Sequence, residues 1–253
     1  MGVNNKKGIR NAPSIANAAY APYLFTEGGI PNLEQQVLAP IQDHLEFDFN
    51  INGIIERMNK NKEYVQLSQE AYNRKPDAFV LTRAIAAFGR TILSGNSAYD
   101  KFYFQNDTTA LSLSAKAGRE LFTSDSLACN KCHSGFAFTN HQFKNNGLYN
   151  NYNDLGRMRL TNKKEDKALF KTPSLRNVAL TAPYMHNGSL TNLSQVIDHY
   201  ASGGKNHFNK SDLINGFSLT NTEKQNLINF LKSLTDYELI ENPKLSNPFT
   251  QKP

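Results

Sequence analysis

One short motif constrains this chain more than any other feature. The only two cysteines among the 253 residues are Cys129 and Cys132, and His133 follows directly. This C-x-x-C-H spacing is typical of c-type haem attachment, because two thiols about one helical turn apart can each bond a vinyl group of the same porphyrin. The adjacent histidine then becomes the proximal iron ligand. The motif therefore predicts one covalently attached haem c.

Two other interpretations of the cysteines have less support. A thioredoxin-like dithiol follows a β-strand, and the residues before Cys129 give no strand pattern. A zinc site needs four ligands, and the sequence has neither a second C-x-x-C pair nor a closely spaced histidine pair. The histidine directly after Cys132 is the residue that favours haem over both alternatives.

The composition argues against nucleic acids and membranes as partners. Lysine and arginine exceed aspartate and glutamate by 28 to 22, a net charge of +6, which allows at most a basic docking face for an acidic partner. The basic residues are spread along the chain, so nothing favours nucleic-acid binding. No stretch approaches 18 consecutive apolar residues, so we expect no membrane span.

The pattern of the chain predicts an all-α protein. Residues 1–32 are irregular, and a short helix begins at Leu33 and should stop at Pro40. A helix leads into the haem motif, residues 134–182 form a long loop, and the capping box at 220–223 opens a final helix. A cytochrome c domain has this order of elements, with its first and last helices packed together. No internal sequence repeat is evident. An amphipathic helix is indicated earlier in the chain by Leu81, Ile85, Phe88 and Ile92.

Several longer stretches around the haem motif are distinctive. Those near and after the motif are GRELF at 118–122, FKTPSLRNVALTAPY at 170–184, HNGSL at 186–190 and the segment 193–200. Those in the N-terminal half are RNAPS at 10–14, LEQQ at 33–36 and NSAYD at 96–100. Together, over residues 2–236, they closely resemble the bacterial dihaem cytochrome c peroxidases and their MauG-like relatives.

This resemblance implies two cytochrome c-like domains, each with a haem. The family's peroxidatic haem lies in the N-terminal domain and its electron-entry haem in the C-terminal domain. We expect residues 1–110 to be a truncated N-terminal peroxidatic domain without its own C-x-x-C-H motif. Residues 111–240 would then be the electron-transfer domain, and 241–253 a tail. A natural monohaem descendant is the alternative to a fragment of a protein with two haems.

The resemblance also assigns the haem ligands. Cys129 and Cys132 are the thioether anchors, and His133 is the proximal ligand. The sixth-ligand position falls at Tyr200, where the peroxidases carry methionine and the MauG-like relatives carry tyrosine. A tyrosinate oxygen would favour ferric iron relative to methionine ligation. The alternative is that Tyr200 only packs and that Met185 supplies a sulfur ligand.

Two further groups of residues acquire roles through the resemblance. Gln36 and Glu46 have the ten-residue spacing of the family's glutamine and glutamate over the peroxidatic haem, where a carboxylate acts as general acid and base. By itself, Glu46 would be a solvated loop acid. The family's inter-domain calcium ligands correspond to Asn11 and to the carbonyl oxygens of Thr181 and Pro183. Without the resemblance, Asn11 would simply cap a turn.

The expected activity is reduction of hydrogen peroxide with electrons from a small redox protein such as a cytochrome c or a cupredoxin. The first alternative is a MauG-like oxidase acting on a protein or organic substrate, and the second is an electron-transfer cytochrome without catalysis. Most family members carry a tryptophan between the haems, and here that position is Thr26. We expect a periplasmic protein, although the sequence shows no signal peptide. A homodimer would agree with the family.

Overall fold

The computed structural model describes residues 2–248, and these residues are organised almost entirely as helices and irregular segments. None of the described helices is both long and apolar enough to cross a membrane. Two strands of two residues each, β1 (Phe143–Lys144) and β2 (Phe170–Lys171), pair in antiparallel fashion. The helices are α1 (Leu33–Gln42), α2 (Ile51–Lys60), α3 (Lys62–Tyr72), α4 (Ala78–Thr91), α5 (Ala98–Phe104), α6 (Leu113–Thr123), α7 (Met158–Thr161), α8 (Leu193–Ala201), α9 (Asn221–Ser233) and α10 (Tyr237–Ile240).

The central contact of the C-terminal half is the crossing of α6 and α9. At Gly118 the two backbones approach so closely that a Cβ atom would overlap the carbonyl group of Asn226 and touch Phe230. Phe230 and Leu234 are fully buried at this crossing. The helices that flank the haem motif therefore pack on each other, as the cytochrome c pattern predicts. The other buried apolar residues of this core are Phe122, Leu127, Phe138, Val178, Leu193, Ile197, Leu227 and Leu231.

The capping box that opens α9 is confirmed. The Thr220 hydroxyl accepts the amide N–H of Glu223, and the Glu223 carboxylate accepts the Thr220 amide N–H at 2.8 Å. These two bonds satisfy helix donors that would otherwise lack partners.

In the N-terminal half, α1 packs against α4 and continues farther than the sequence pattern indicates. The Asn32 side chain caps α1 by accepting the Gln35 amide N–H at 2.9 Å. The expectation that the helix stops at Pro40 is wrong, because α1 runs on to Gln42. A proline removes one helical hydrogen bond, and here the loss falls in the last turn, where little helix remains to be disrupted.

The two halves of the chain repeat one local structure 160 residues apart, so the expectation of no internal repeat is also wrong. In each half an asparagine in the left-handed region starts a 3₁₀ turn, an antiparallel bridge follows, and a capping asparagine opens a helix. The matched features are Asn17 and Asn177, the bridges Leu24–Ile30 and Tyr184–Leu190, and the caps Asn32 and Asn192. The repeat is hard to find in the sequence because it preserves turn-forming residues and varies the apolar ones.

The same repeat makes α4 the counterpart of α9. The amide N–H of Asn17 donates to the Ile92 carbonyl oxygen just after α4, and that of Asn177 donates to the Leu234 carbonyl oxygen just after α9. In this register Phe88 matches Phe230. Phe230 is 0% exposed beneath α6, whereas Phe88 is 50% exposed. Within residues 2–248, nothing covers α4 in the way that α6 covers α9.

Buried ion pairs join the two halves. Arg176 and Asp100 are each 1% exposed and form a two-point contact, with one bond at 2.8 Å. Burial opposes ionisation of Asp100, but hydrogen bonds from Arg176 and Ser97 outweigh it and hold the Asp100 pKa below its usual value. Because Tyr99, beside Asp100, packs on the C-terminal core, α5 is attached to the haem-motif half. The division at residues 110 and 111 remains a prediction.

A second group of charges fixes the N-terminal segment to the long loop. Glu27 is 2% exposed and contacts both Arg10 and Arg159. Arg10 also donates two hydrogen bonds to Asp154, at 2.7 and 2.8 Å. Arg157 donates to the Glu27 carbonyl oxygen at 3.1 Å. These contacts hold the start of the chain against the loop that follows the haem motif.

Candidate haem site

The two cysteines lie on a 3₁₀ turn shortly after α6. Cys129 begins the turn (Cys129–Lys131), and the amide N–H groups of Cys132 and His133 both donate to the Cys129 carbonyl oxygen, at 3.2 and 2.9 Å. Both thiols are free and partly buried. These hydrogen bonds fold the five-residue motif into one turn, and that turn carries both thiols and the imidazole.

The chemistry of the thiols favours haem attachment over a reactive dithiol. Burial raises the pKa of Cys129 to about 11, and it also raises the pKa of Cys132. Reactive dithiols have a lowered pKa that gives a thiolate near neutral pH, so these thiols have the opposite character. Within residues 2–248 no group of three or more His, Cys, Asp or Glu side chains could hold a metal ion.

His133 is oriented as a haem ligand must be. Its Nδ1 atom lies 3.1 Å from the Phe138 carbonyl oxygen. Burial lowers the pKa of His133, although backbone hydrogen bonds to Phe138 and Pro173 oppose the shift. A neutral ring with Nδ1–H donated to a carbonyl leaves Nε2 as the lone-pair nitrogen, which is the arrangement of most metal-binding histidines. These residues thus fit a haem iron on the Nε2 side.

Tyr200, on α8, faces the same site. Burial raises the pKa of its hydroxyl to about 12, a hydrogen bond from Asn146 opposes the shift, and the charges of both cysteines also act on it. The Tyr200 hydroxyl is therefore poorly hydrated and lies within electrostatic range of both thiols. A nearby metal cation would offset the burial that disfavours tyrosinate, so Tyr200 also fits an axial position.

Met185 lies beside Tyr200 but has a different environment. Its Sδ atom accepts a hydrogen bond from Asn146 Nδ2 at 3.2 Å. The side chain packs against a small core that includes Tyr152 and Phe170. Asn146 therefore contacts both candidate ligands. Tyr200 is the one whose hydroxyl is affected by both cysteines, and this favours Tyr200 as the sixth ligand.

The proposed catalytic pair lies in the N-terminal half. Gln36 is half-buried on α1, and Glu46 is in the exposed turn that follows α1. This turn folds back, because the Phe47 amide N–H donates to the Pro40 carbonyl oxygen at 3.2 Å. Burial, and secondly the charge of Asp43, raise the pKa of Glu46. No hydrogen bond joins the Gln36 and Glu46 side chains in the described structure.

The three expected calcium ligands are only partly brought together. Asn11 Nδ2 lies 2.5 Å from the Pro183 carbonyl oxygen, and the Asn11 amide N–H donates to the His186 carbonyl oxygen at 2.7 Å. Turning the Asn11 amide over would put its oxygen in place of Nδ2. Thr181 is exposed, and its hydroxyl donates to the Val178 carbonyl oxygen. The donor atoms suit calcium chemically, because hard cations prefer oxygen.

Sequence reasoning missed the residues that organise this site through space. Asn146 contacts Met185, and its carbonyl oxygen lies 2.9 Å from His199 Nε2 on α8. Asn146 lies in a polar stretch of the long loop with no motif of its own. No local signal could have singled it out, since its importance comes from residues about 40 to 50 positions away.

Known proteins resemble this chain over most of its length. Residues 1–109 match the family model described as di-haem cytochrome c peroxidase. The methylamine utilization protein MauG of Methylorubrum extorquens is 33% identical over 229 residues, which cover 89% of this chain and 64% of that protein. The cytochrome c peroxidase Ccp of Escherichia coli is 31% identical over 205 residues, covering 78% of this chain and 43% of that protein. The chain thus spans less than two thirds of the length of these two relatives.

Solved structures with the same fold also come from MauG-like proteins and dihaem peroxidases. A crystal structure of a MauG-like protein associated with microbial copper homeostasis superposes with a TM-score of 0.91 at 30% identity, covering 98% of this chain and 82% of that chain. The dihaem peroxidase BthA of Burkholderia thailandensis shares the fold, with a TM-score of 0.79 at 20% identity, over 95% of this chain and 75% of that chain. On its haem motif, its sequence relatives and its fold, this chain belongs to the dihaem cytochrome c peroxidase and MauG family of oxidoreductases.

Proposed function

We propose that this chain carries the electron-entry haem of a dihaem peroxidase-like enzyme that reduces hydrogen peroxide with electrons from a small redox protein. The observation that carries the proposal is the C-x-x-C-H turn itself, in which the His133 Nδ1 atom lies against the Phe138 carbonyl oxygen, together with a poorly hydrated Tyr200 hydroxyl within electrostatic range of both thiols. A haem attached there supplies one-electron chemistry. With His133 and Tyr200 as its ligands, a haem held there would leave no position for peroxide and would be suited to electron transfer.

The residues of the chain divide this work between them. Cys129 and Cys132 anchor the porphyrin, and the Phe138 carbonyl holds the His133 ring in one orientation. Tyr200 closes the opposite face to water and peroxide. Its oxygen ligand favours the oxidised state more than a methionine sulfur would.

The internal repeat supports a separate peroxide site in the N-terminal half. In the 160-residue register, Pro40 stands where the second half has Tyr200. Proline has no side-chain atom that could bind iron, so a haem held by the first half would keep one face open. Gln36 lies one turn before Pro40, and Glu46 follows in the turn that folds back on Pro40. Glu46, with its raised pKa, is suited to accept and return a proton of peroxide.

The exposed apolar face of α4 is evidence for a helix that would cover it in the full-length protein. Ile85 and Phe88 match Leu227 and Phe230 of α9, which α6 covers, yet they are 46% and 50% exposed. Two such apolar side chains on one helix face are stabilised when another helix buries them. We infer that a helix outside this sequence packs there and leads to the first haem-attachment motif, giving two haems in the full-length protein.

A MauG-like oxidase acting on a protein or organic substrate is the second candidate. Thr26 stands where the resemblance expects an inter-haem tryptophan, and the 33% identity to MauG favours this candidate. Turnover of peroxide with a reduced small cytochrome or cupredoxin distinguishes the candidates. A peroxidase consumes both, a MauG-like oxidase needs its own substrate, and a plain electron-transfer cytochrome turns over neither. The periplasm and a homodimer remain our proposals for location and assembly.

Calcium is the remaining proposal. Asn11 and the carbonyl oxygens of Pro183 and Thr181 would bind one ion that joins the N-terminal segment to the segment before α8. The side chain of Asn11 already lies against the Pro183 carbonyl oxygen, and turning its amide over would direct the Asn11 oxygen toward the same ion. Few protein ligands are involved, so waters would complete the shell.

Replacing Tyr200 should change the haem spectrum more than replacing Met185. In Tyr200→Phe the iron loses its oxygen ligand, so we expect a strong change in the Soret and charge-transfer bands. Met185→Leu keeps the packing volume and should leave both bands nearly unchanged. Optical spectra of the ferric proteins measure this. The opposite pattern would make Met185 the ligand.

Replacing Glu46 should slow peroxide turnover in the full-length protein. Glu46→Gln removes the proton-transfer group but keeps the side-chain size, so we expect kcat to fall by roughly 10²- to 10⁴-fold. Glu56→Gln on α2 is the matched control, because Glu56 is also exposed in this half, and its kcat should be unchanged. Equal rates for both variants would return Glu46 to the role of a solvated loop acid.

Removing calcium should loosen the two halves. Chelation with EGTA should lower the melting temperature of the full-length protein and slow electron transfer between the haems, and added calcium should restore both. Asn11→Ala should lack this response, whereas Asn5→Ala, also near the N-terminus, should retain it. An unchanged melting temperature on chelation, together with no anomalous scattering beside Asn11, would disprove the site.

A further inference from the structure

A cleft of about 520 Å³ separates the N-terminal segment from the loop that follows the haem motif. Its walls include Tyr23 from one side and His141, Phe143, Arg157 and Asp166 from the other. None of these residues has a role in the function proposed above. The cleft is polar and open on one side, so its chemistry depends on the side chains that face it.

The His141 wall of the cleft is attached directly to the haem motif. The Asn140 amide N–H donates to the Cys132 carbonyl oxygen at 2.9 Å, and Asn140 Nδ2 donates to the Lys131 carbonyl oxygen at 3.0 Å. His141 follows with a φ of +57°. Its amide N–H donates to Thr139 Oγ1, and that hydroxyl donates to the Thr172 carbonyl oxygen. The position of His141 is therefore fixed relative to Cys132.

His141 carries a polar atom without a partner. Its Nδ1 atom is buried and makes no hydrogen bond in the described structure. Leaving a buried donor or acceptor unpaired is costly, so native structures rarely leave one without a ligand, water or ion.

Two cations without carboxylate partners lie near His141, Arg157 on the cleft wall and Lys171 beside the cleft. Lys171 Nζ donates to the Tyr23 carbonyl oxygen at 2.7 Å, and its charge acts on His141. The Arg157 guanidinium lies 3.9 Å from the centre of the Phe143 ring. Neither Lys171 nor Arg157 forms an ion pair within residues 2–248. Asp166 is the acidic residue of the cleft wall. Burial lowers the pKa of both Lys171 and His141.

We propose that the His141 wall of this cleft binds a propionate carboxylate of the haem attached at Cys129 and Cys132, with His141 and the neighbouring Lys171, which lies outside the cleft lining, as its positioning residues. The proposal rests on haem attachment at this motif and deepens the electron-entry role. A carboxylate can accept from both an imidazole N–H and an ammonium group. A haem anchored at the adjacent backbone supplies this carboxylate at a high effective concentration. A soluble anion lacks this advantage, because it would have to bind from dilute solution.

The consequence is control of the reduction potential. An uncompensated propionate charge stabilises the ferric state, and a paired cation offsets that effect. Removing Lys171 should therefore favour the oxidised haem. This readout differs from peroxide turnover, so the proposal can fail while the proposed function stands. The reduction potential is measured only in protein that carries haem. A wild-type chain that carries no haem would therefore contradict the proposed function and not this proposal alone.

The test is a double-mutant cycle in the haem-loaded chain, read by spectroelectrochemistry. Lys171→Met should shift the reduction equilibrium toward ferric haem about tenfold, which is about 59 mV for one electron. His141→Asn tolerates the left-handed backbone and should shift it in the same direction. The double variant should shift it by less than the sum, because both residues hold one carboxylate. Lys163→Gln, an exposed lysine of the same loop, is the charge-matched control and should leave the potential unchanged.

Two further measurements decide the ligand. A crystal structure of the haem-loaded chain should place a propionate oxygen within hydrogen-bond distance of His141 Nδ1. Titration of the same protein with acetate, followed by the ¹⁵N signal of His141, should give no saturable shift. A saturable acetate response would mean that the cleft takes a soluble anion. That result would overturn the proposal, and so would a crystal structure in which both propionates point away from His141. Reduction potentials of the Lys171→Met and His141→Asn variants that match the Lys163→Gln control, or shifts that simply add in the double variant, would also overturn it.

Discussion

The close crossing of α6 and α9 at Gly118 is the contact on which the haem-binding half depends. Any larger residue would push α6 away from the Asn226 backbone and expose Phe230. Because α6 leads within a few residues to the turn at Cys129, the crossing also fixes where the thiols lie relative to α8. The packing of these two helices thus helps to set the cysteine turn, which carries His133, relative to Tyr200 on α8.

The two halves of the chain repeat one local structure but differ at a position that matters for metal binding. In each half, an asparagine binds the end of a long helix and the following segment leads to a capped helix. The second copy ends with Tyr200 on that helix, and the first has Pro40 in the same register. At this one position the second helix carries a side-chain oxygen and the first carries none. The helix that covers the second copy has no counterpart over α4 within residues 2–248.

Sequence alone predicted the elements that depend on local signals. The capping box at Thr220 and the mostly helical character follow from residue types at short spacing. The segment 134–182 is more structured than the predicted loop, because it holds α7 and the paired strands β1 and β2. Pro40 misled the prediction because proline is unfavourable within a helix, yet it is tolerated in the last turn. α5 was missed although Ser97 and Asp100 form a capping box in the structure. α2 was missed although Ile51, Ile54, Ile55 and Met58 recur at helical spacing, and α3 was missed as well. The roles of Asn146 and His141 are set by contacts through space, which sequence spacing does not carry.

The central claim is that this chain holds one covalent haem c at Cys129 and Cys132. The most direct measurement is the intact mass of the chain after expression with c-type maturation machinery and extraction with acidic acetone. The account predicts the mass of the polypeptide plus one haem, retained through extraction and lost when both cysteines are replaced by serine. A mass of polypeptide alone, with all haem in the organic phase, would contradict it.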